Sequence, residues 1–134
     1  MSSASEGSDA VRVLDEATVQ MLTHHWEDGW NRGDLETIMA PFAQDVVFSS
    51  PGISMMTGDP AKTTIEGADA LRAYLDAALR RTRGIRYALQ TMYAGIDSVV
   101  LVYACGFPEG AQKPGADLMR VDRDRKVVEW RCHY

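Results

Sequence analysis

The chain begins with a polar run, Met1-Ser2-Ser3-Ala4-Ser5-Glu6-Gly7-Ser8-Asp9, that carries no apolar period. Residues 1–15 read as a disordered tail and residues 16–134 as one domain. Val19, Leu22, Trp26 and Trp30 then recur at three- and four-residue steps. That spacing puts them on one face of a helix over Thr18–Asn31. Gly33 suits a left-handed cap. Asp34 caps a short second helix over Leu35–Phe42, with Pro41 near its end. Val46–Ser50 reads as a strand closed by Pro51-Gly52. Ile53–Pro60, with Met55 and Met56, reads as a loop, and Lys62–Glu66 as a second short strand. From Gly67 a helical stripe returns through Ala68, Leu71, Leu75, Ala78 and Leu79.

After Gly84 the period drops to two. Ile85, Tyr87, Leu89, Thr91 and Tyr93 alternate with Arg86, Ala88, Gln90 and Met92. Gly95–Ser98 is a turn, and Val99–Phe107 a long apolar strand. Asp117–Val121 and Val127–Tyr134 are two more strands, joined by the charged turn Asp122–Lys126. Three helices followed by a four-stranded meander predict an α+β fold, with helices gathered on one side of an antiparallel sheet.

Alternation also sorts the side chains. Asp117, Met119 and Val121 share one strand face, opposite Leu118 and Arg120. Trp130, Cys132 and Tyr134 share a face opposite Glu129, Arg131 and His133. If Asp117 faces an apolar interior, burial raises its pKa and makes it a candidate acid or base. The competing reading is a strand-end aspartate in solvent, or one paired with Arg120 or Lys113. Cys132 as a nucleophile would need a base or cation beside it, and His133 points the other way.

Charge narrows the partners. With 14 basic and 19 acidic residues the chain carries −5, and no basic stripe offers a nucleic-acid footprint. Arg80, Arg81 and Arg83 suit the carbonyl end of a helix. No apolar run reaches the roughly 18–20 residues of a membrane span, and no secretory signal is evident, so a cytoplasmic protein is expected. Cys105 and Cys132 are then expected as reduced, small hydrophobes. His24 and His25 diverge by about 100° on a helix and His133 is remote, so no metal is expected. No phosphate loop, dinucleotide glycine signature or Ser-His-Asp ordering calls for a cofactor or a triad.

Two stretches carry a family resemblance. Trp30-Asn31-Arg32-Gly33-Asp34-Leu35, followed by Phe42-Ala43-Gln44-Asp45-Val46-Val47-Phe48, resembles the opening of nuclear-transport-factor-2-like (NTF2-like) proteins. These include SnoaL-like polyketide cyclases, ketosteroid isomerases and limonene-epoxide hydrolases. Lys126–Tyr134 is similar to their last strand. The resemblance implies a cone-shaped, cystatin-like barrel: a curved antiparallel sheet wrapped around helices, its interior a pocket for a small apolar molecule. It also implies a homodimer formed through the outer sheet face.

The resemblance assigns roles residue by residue. The isomerase base falls on Ser50, an alcohol that cannot replace a carboxylate without a group to deprotonate it. The phenol falls on Trp26, whose indole donates a hydrogen bond but is no acid. The neutral carboxylic acid falls on Asp117, the kind of acid an apolar site holds protonated. The epoxide-hydrolase pattern does not carry over: its final-strand aspartate falls on Cys132 and its ion pair near the apolar Val99–Val102. The expected site is therefore Asp117 as acid or base. Trp26, Trp30, Ser50, Met55, Met119, Trp130, Cys132 and Tyr134 surround the substrate. The expected chemistry is cofactor-independent isomerisation, cyclisation or dehydration of an apolar carbonyl compound. The alternatives are a non-catalytic binding or dimerisation module and a cone filled by its own side chains.

Overall fold

The structure is a computed structural model and describes residues 14–134. Most of the expected tail lies outside the described residues. Its last two residues are not tail at all. The Leu14 N–H donates to Gly95 O at 2.8 Å, and Asp15 Oδ1 accepts from the Thr18 N–H at 2.8 Å, capping helix α1 (Glu16–Arg32). Gly33 closes α1 at φ 66°, a left-handed conformation that a side chain would strain. Asp34 caps the short α2 (Leu35–Met39), which stops two residues before Pro41, earlier than the expected Phe42.

The strand that follows is longer than the apolar pattern indicates: β1 spans Phe42–Ser49. The stretch expected to be a loop is largely a helix, α3 (Pro51–Thr57). The same residues explain both readings. Pro51-Gly52 ends a strand, but Pro51 also fits the first helical turn. Ser50 caps that turn by accepting the Gly52 N–H. Next come β2 (Thr64–Glu66) and α4 (Ala68–Arg81), whose Leu71 and Leu75 are fully buried. The meander comprises β3 (Arg86–Ala94), β4 (Ser98–Gly106), β5 (Gln112–Val121) and β6 (Val127–His133). β5 starts five residues before the expected Asp117, because Lys113, Pro114 and Gly115 are too weakly apolar to read as strand.

The six strands form one mixed sheet in the order β2-β1-β6-β5-β4-β3, which with the helices makes an α+β fold. Every pairing is antiparallel except β1 with β6, which is parallel. The expected all-antiparallel sheet is corrected at that one seam. A four-strand meander returns β6 in the direction of β1, and no local pattern in either strand records the partner. Register shifts fall at Leu89/Thr91 in β3 and Arg120/Val121 in β5, and bulges of this kind bend a sheet. α1 packs against β3 and α4 against β1 and β2. Val99 and Leu101 of β4, Met119 of β5 and Trp130 of β6 then join Leu22 and Leu75 in one core.

Candidate functional site

The sheet and helices leave a cavity of about 410 Å³ between them. α1 contributes Trp26 and Trp30, four residues apart on one helix face. α4 contributes Tyr74, Ala78 and Arg81, and the inner sheet face contributes Tyr103, Asp117, Trp130 and Cys132. The rest of the lining is mostly apolar or aromatic, as in small-molecule sites, with Ser50, Thr82 and Lys113 among its polar members. Among the described residues that line it, Asp117 is the only carboxylate.

Asp117 is 1% exposed. Strand parity explains its direction: Gly115, Asp117, Met119 and Val121 are buried, while Arg120 is exposed. Arg120 bonds Glu129 at 3.1 Å instead, and among the described residues no cation pairs with the buried acid. Its two oxygens are held by different donors. The Tyr103 OH donates to Oδ1 at 2.9 Å and the Trp130 Nε1–H to Oδ2 at 3.0 Å. Burial pushes the carboxyl above its ordinary value, and the bonds from Trp130 and Tyr103 offset only part of that. Two neutral donors do not replace the water that a carboxylate loses on burial.

The phenol at this acid comes from an unexpected strand. Tyr103 lies in the apolar run of β4, where Val99, Leu101 and Tyr103 alternate inward. Leu101 is the register partner of Asp117 and Tyr103 that of Gly115, so the phenol reaches the acid diagonally across the ladder. Gly115 is required for this. A Cβ there would stand 2.6 Å from the Tyr103 ring. Burial and the neighbouring Asp117 hold the Tyr103 phenol far above its usual range, so it stays protonated. The signal in the sequence was the inward parity of Tyr103 opposite a strand glycine.

The expected residues separate into two groups. Trp26, Trp30, Ser50, Met55, Asp117, Trp130, Cys132 and Tyr134 all line the cavity. Met119 does not. It is 1% exposed in the core beside Trp130, its register partner, one step deeper than Asp117. The donor roles are also redistributed. Trp130, expected as a wall, holds the acid. Trp26 lies close enough to lower the pKa of Asp117, yet its Nε1–H reaches no acceptor in hydrogen-bond geometry. The Trp30 Nε1–H is likewise buried and unpartnered among the described residues.

A second polar cluster stands apart from the acid. Ser50 Oγ and the Tyr134 OH lie 2.6 Å apart, and a Cβ on Gly52 would meet the hydroxyls of both Tyr134 and Tyr74. Ser50 thus serves as a helix cap and a phenol partner, with no base beside it. Cys132 lies between the clusters. Burial and the nearby Asp117 raise its thiol well above the ordinary value, which leaves it protonated and a poor nucleophile. Among the described residues no three His, Cys, Asp or Glu side chains converge as metal ligands would. No helix of the described residues is long and apolar enough to cross a membrane.

The arrangement offers one buried carboxyl at a largely apolar cavity, beside a phenol and indoles. Comparison with known proteins agrees with this architecture. A comparison with curated proteins gives no sequence match. In structure the chain is similar to a SnoaL-like protein from Burkholderia thailandensis, with TM-score 0.79 and 28% identity over 92% of this chain and 98% of that one. It shares its fold with a steroid delta-isomerase from Pseudomonas aeruginosa (TM-score 0.65, 24% identity, 90% and 80% covered). It also shares it with a Mycobacterium tuberculosis protein in complex with estradiol-17beta-hemisuccinate (0.67, 17%, 87% and 93%). The model of the SnoaL-like domain matches residues 23–130, and the chain belongs to that family.

Proposed function

We propose that this protein binds a small apolar carbonyl compound in the cavity and that Asp117 acts on it as a general acid and base, without a cofactor. The observation that carries the reading is a carboxyl 1% exposed, paired with no cation among the described residues, at a largely apolar cavity. A raised pKa keeps such an acid protonated closer to neutral pH, where it can donate to a carbonyl oxygen as charge develops there. With no second carboxylate in the lining, the Asp117 carboxylate left by that donation takes a proton from the carbon next to the carbonyl, delivers it to the far carbon of the double bond and recovers its own from the oxygen. Reactions that suit one shuttling proton are double-bond isomerisation next to a carbonyl, aldol-type cyclisation and dehydration. The neutral Tyr103 phenol steadies the charge that Asp117 acquires, and Trp26 lends an unpaired donor at the acid.

The lining also supports a second reading. Ser50 and Trp26 stand where an isomerase has its base and its phenol, which favours a module that binds ligand and releases it unchanged. The experiment that separates the two uses a β,γ-unsaturated ketone and follows the absorbance of its conjugated isomer. The enzyme reading expects conversion by the wild type and none by Asp117→Asn, with binding retained. Saturable binding without conversion by the wild type supports the module and sinks the catalytic role.

A homodimer through the outer sheet face is part of the same proposal. Val100, Val102 and Leu118 alternate away from the core and adjoin one another in register, and Tyr93 beside them is exposed. Val102→Asp is expected to halve the mass seen by light scattering. An unchanged mass would mean that this face is not the interface.

A further inference from the structure

Resting on the proposed binding reading, we propose that the ligand carries an anionic group, held at the cavity rim by Arg81 and Lys113. The lining of the cavity includes these two cations, and no carboxylate other than the buried Asp117. A chain of net charge −5 thus lines the exposed part of this cavity with two cations and no carboxylate. The two cations come from different elements, the last turn of α4 and the start of β5.

Neither has an ion-pair partner among the described residues, although carboxylates are abundant. The adjacent Arg80 is paired with Asp76 at 2.8 Å, and Arg72 with Glu36. Arg81 does not share in this. Lys113 places its Nζ 5.6 Å from the centre of the Phe107 ring, a cation–π contact that holds the ammonium at the rim; Phe107 itself lines the cavity. Two unpaired cations over an apolar cavity fit a molecule with an apolar body and an oxyanion, such as a carboxylate, at its outer end. The buried Asp117 takes the carbonyl end and the rim takes the charge, so the ligand enters in one orientation. Partly exposed pairs of this kind are weak and screened by salt, so the rim sets orientation and preference more than total affinity.

The test compares two probes with the same aromatic body, 8-anilino-1-naphthalenesulfonate and the neutral N-phenyl-1-naphthylamine. The chain has three tryptophans, Trp26, Trp30 and Trp130, and all line the cavity. Quenching of their emission therefore reports occupancy. At low salt the anionic probe is expected to bind the wild type about three- to tenfold more tightly than the neutral one. The preference shrinks as salt rises. In Arg81→Gln/Lys113→Gln it disappears, while the neutral probe still binds. Equal affinity of the two probes in the wild type overturns the proposal and leaves the binding reading standing, as does a preference that survives in the double variant. Failure of both probes to quench would sink the binding reading itself.

Discussion

Lys113 and Asp117 lie four residues apart on the same face of one strand, and both line the same cavity. About 13 Å of extended chain separates them. Lys113 is exposed to water at the rim. Asp117 is buried, has no counter-ion among the described residues, and is pushed toward its neutral form. The difference shows that this cavity grades from polar to apolar along a single strand. On the proposed function, charge at one end would serve recognition, and suppressed charge at the other would serve proton transfer. Chemistry needs the inner end to stay dry, whereas selectivity needs the rim to stay wet.

The sharpest way to break the comparison is at the inner end. Asp117→Asn keeps the shape and removes the proton. Under the catalytic reading, turnover of the β,γ-unsaturated ketone falls by at least about 10²-fold. Stability moves the opposite way. The folded-state pKa lies above the unfolded value of about 3.9, so the native state holds the proton more tightly. That contribution is complete below about pH 3.9 and is lost as pH rises through the raised value. Calorimetry is expected to give similar Tm values for the two proteins at low pH. The variant then becomes progressively more stable toward neutral pH. Parallel curves across that window would mean that Asp117 titrates normally and is no acid of the proposed kind.

Gly115→Ala attacks the support of the acid. The new Cβ meets the Tyr103 ring, and the backbone of both strands resists retreat. Overpacking of this kind costs about 1–3 kcal/mol. Denaturant unfolding is expected to show that loss, together with a further rise in the Asp117 pKa once the phenol leaves Oδ1. Unchanged stability and pKa would show that Tyr103 has another seat.

Trp130→Phe is milder. The ring packs on Phe48 and Phe42, and phenylalanine keeps much of that contact while losing the donor to Oδ2. The loss of that hydrogen bond costs about 1 kcal/mol, and carboxyl NMR is expected to report Asp117 titrating at still higher pH. A downward shift would mean that water enters the site. The smallest effect is expected at Ser50→Ala, which removes the α3 cap and the Tyr134 contact. Caps contribute about 1 kcal/mol, and turnover is expected to hold within a few-fold, because Ser50 has no base to activate it. A large loss of rate would make Ser50 a participant in the chemistry.

How much of this was legible beforehand depends on the range of the signal. The stripes of α1 and α4 announced themselves because helix faces repeat within a few residues. Asp117, Trp130, Cys132 and Tyr134 could be assigned to the inner face because strand parity is equally local. Met119 obeyed the same parity yet packs into the core, since parity sets a direction and not a depth. The Pro51–Thr57 helix was hidden because Pro51-Gly52 satisfies a strand end and a helix start alike, and only the Ser50 cap decides between them.

The amino-acid sequence by itself determined the α+β class, the order of the later strands, the inward aim of Asp117 and the shortage of a second acid for it. These follow from periods of two and of three to four residues and from the residue types present. Tertiary structure alone decided that Tyr103 and Trp130, not Trp26, hold the carboxyl. It alone set β1 parallel to β6 and brought Arg81 and Lys113 to one rim. Those facts depend on register between distant strands and on the packing of a helix over a sheet. The physical interactions that set them act across space, and no local period in the chain encodes them.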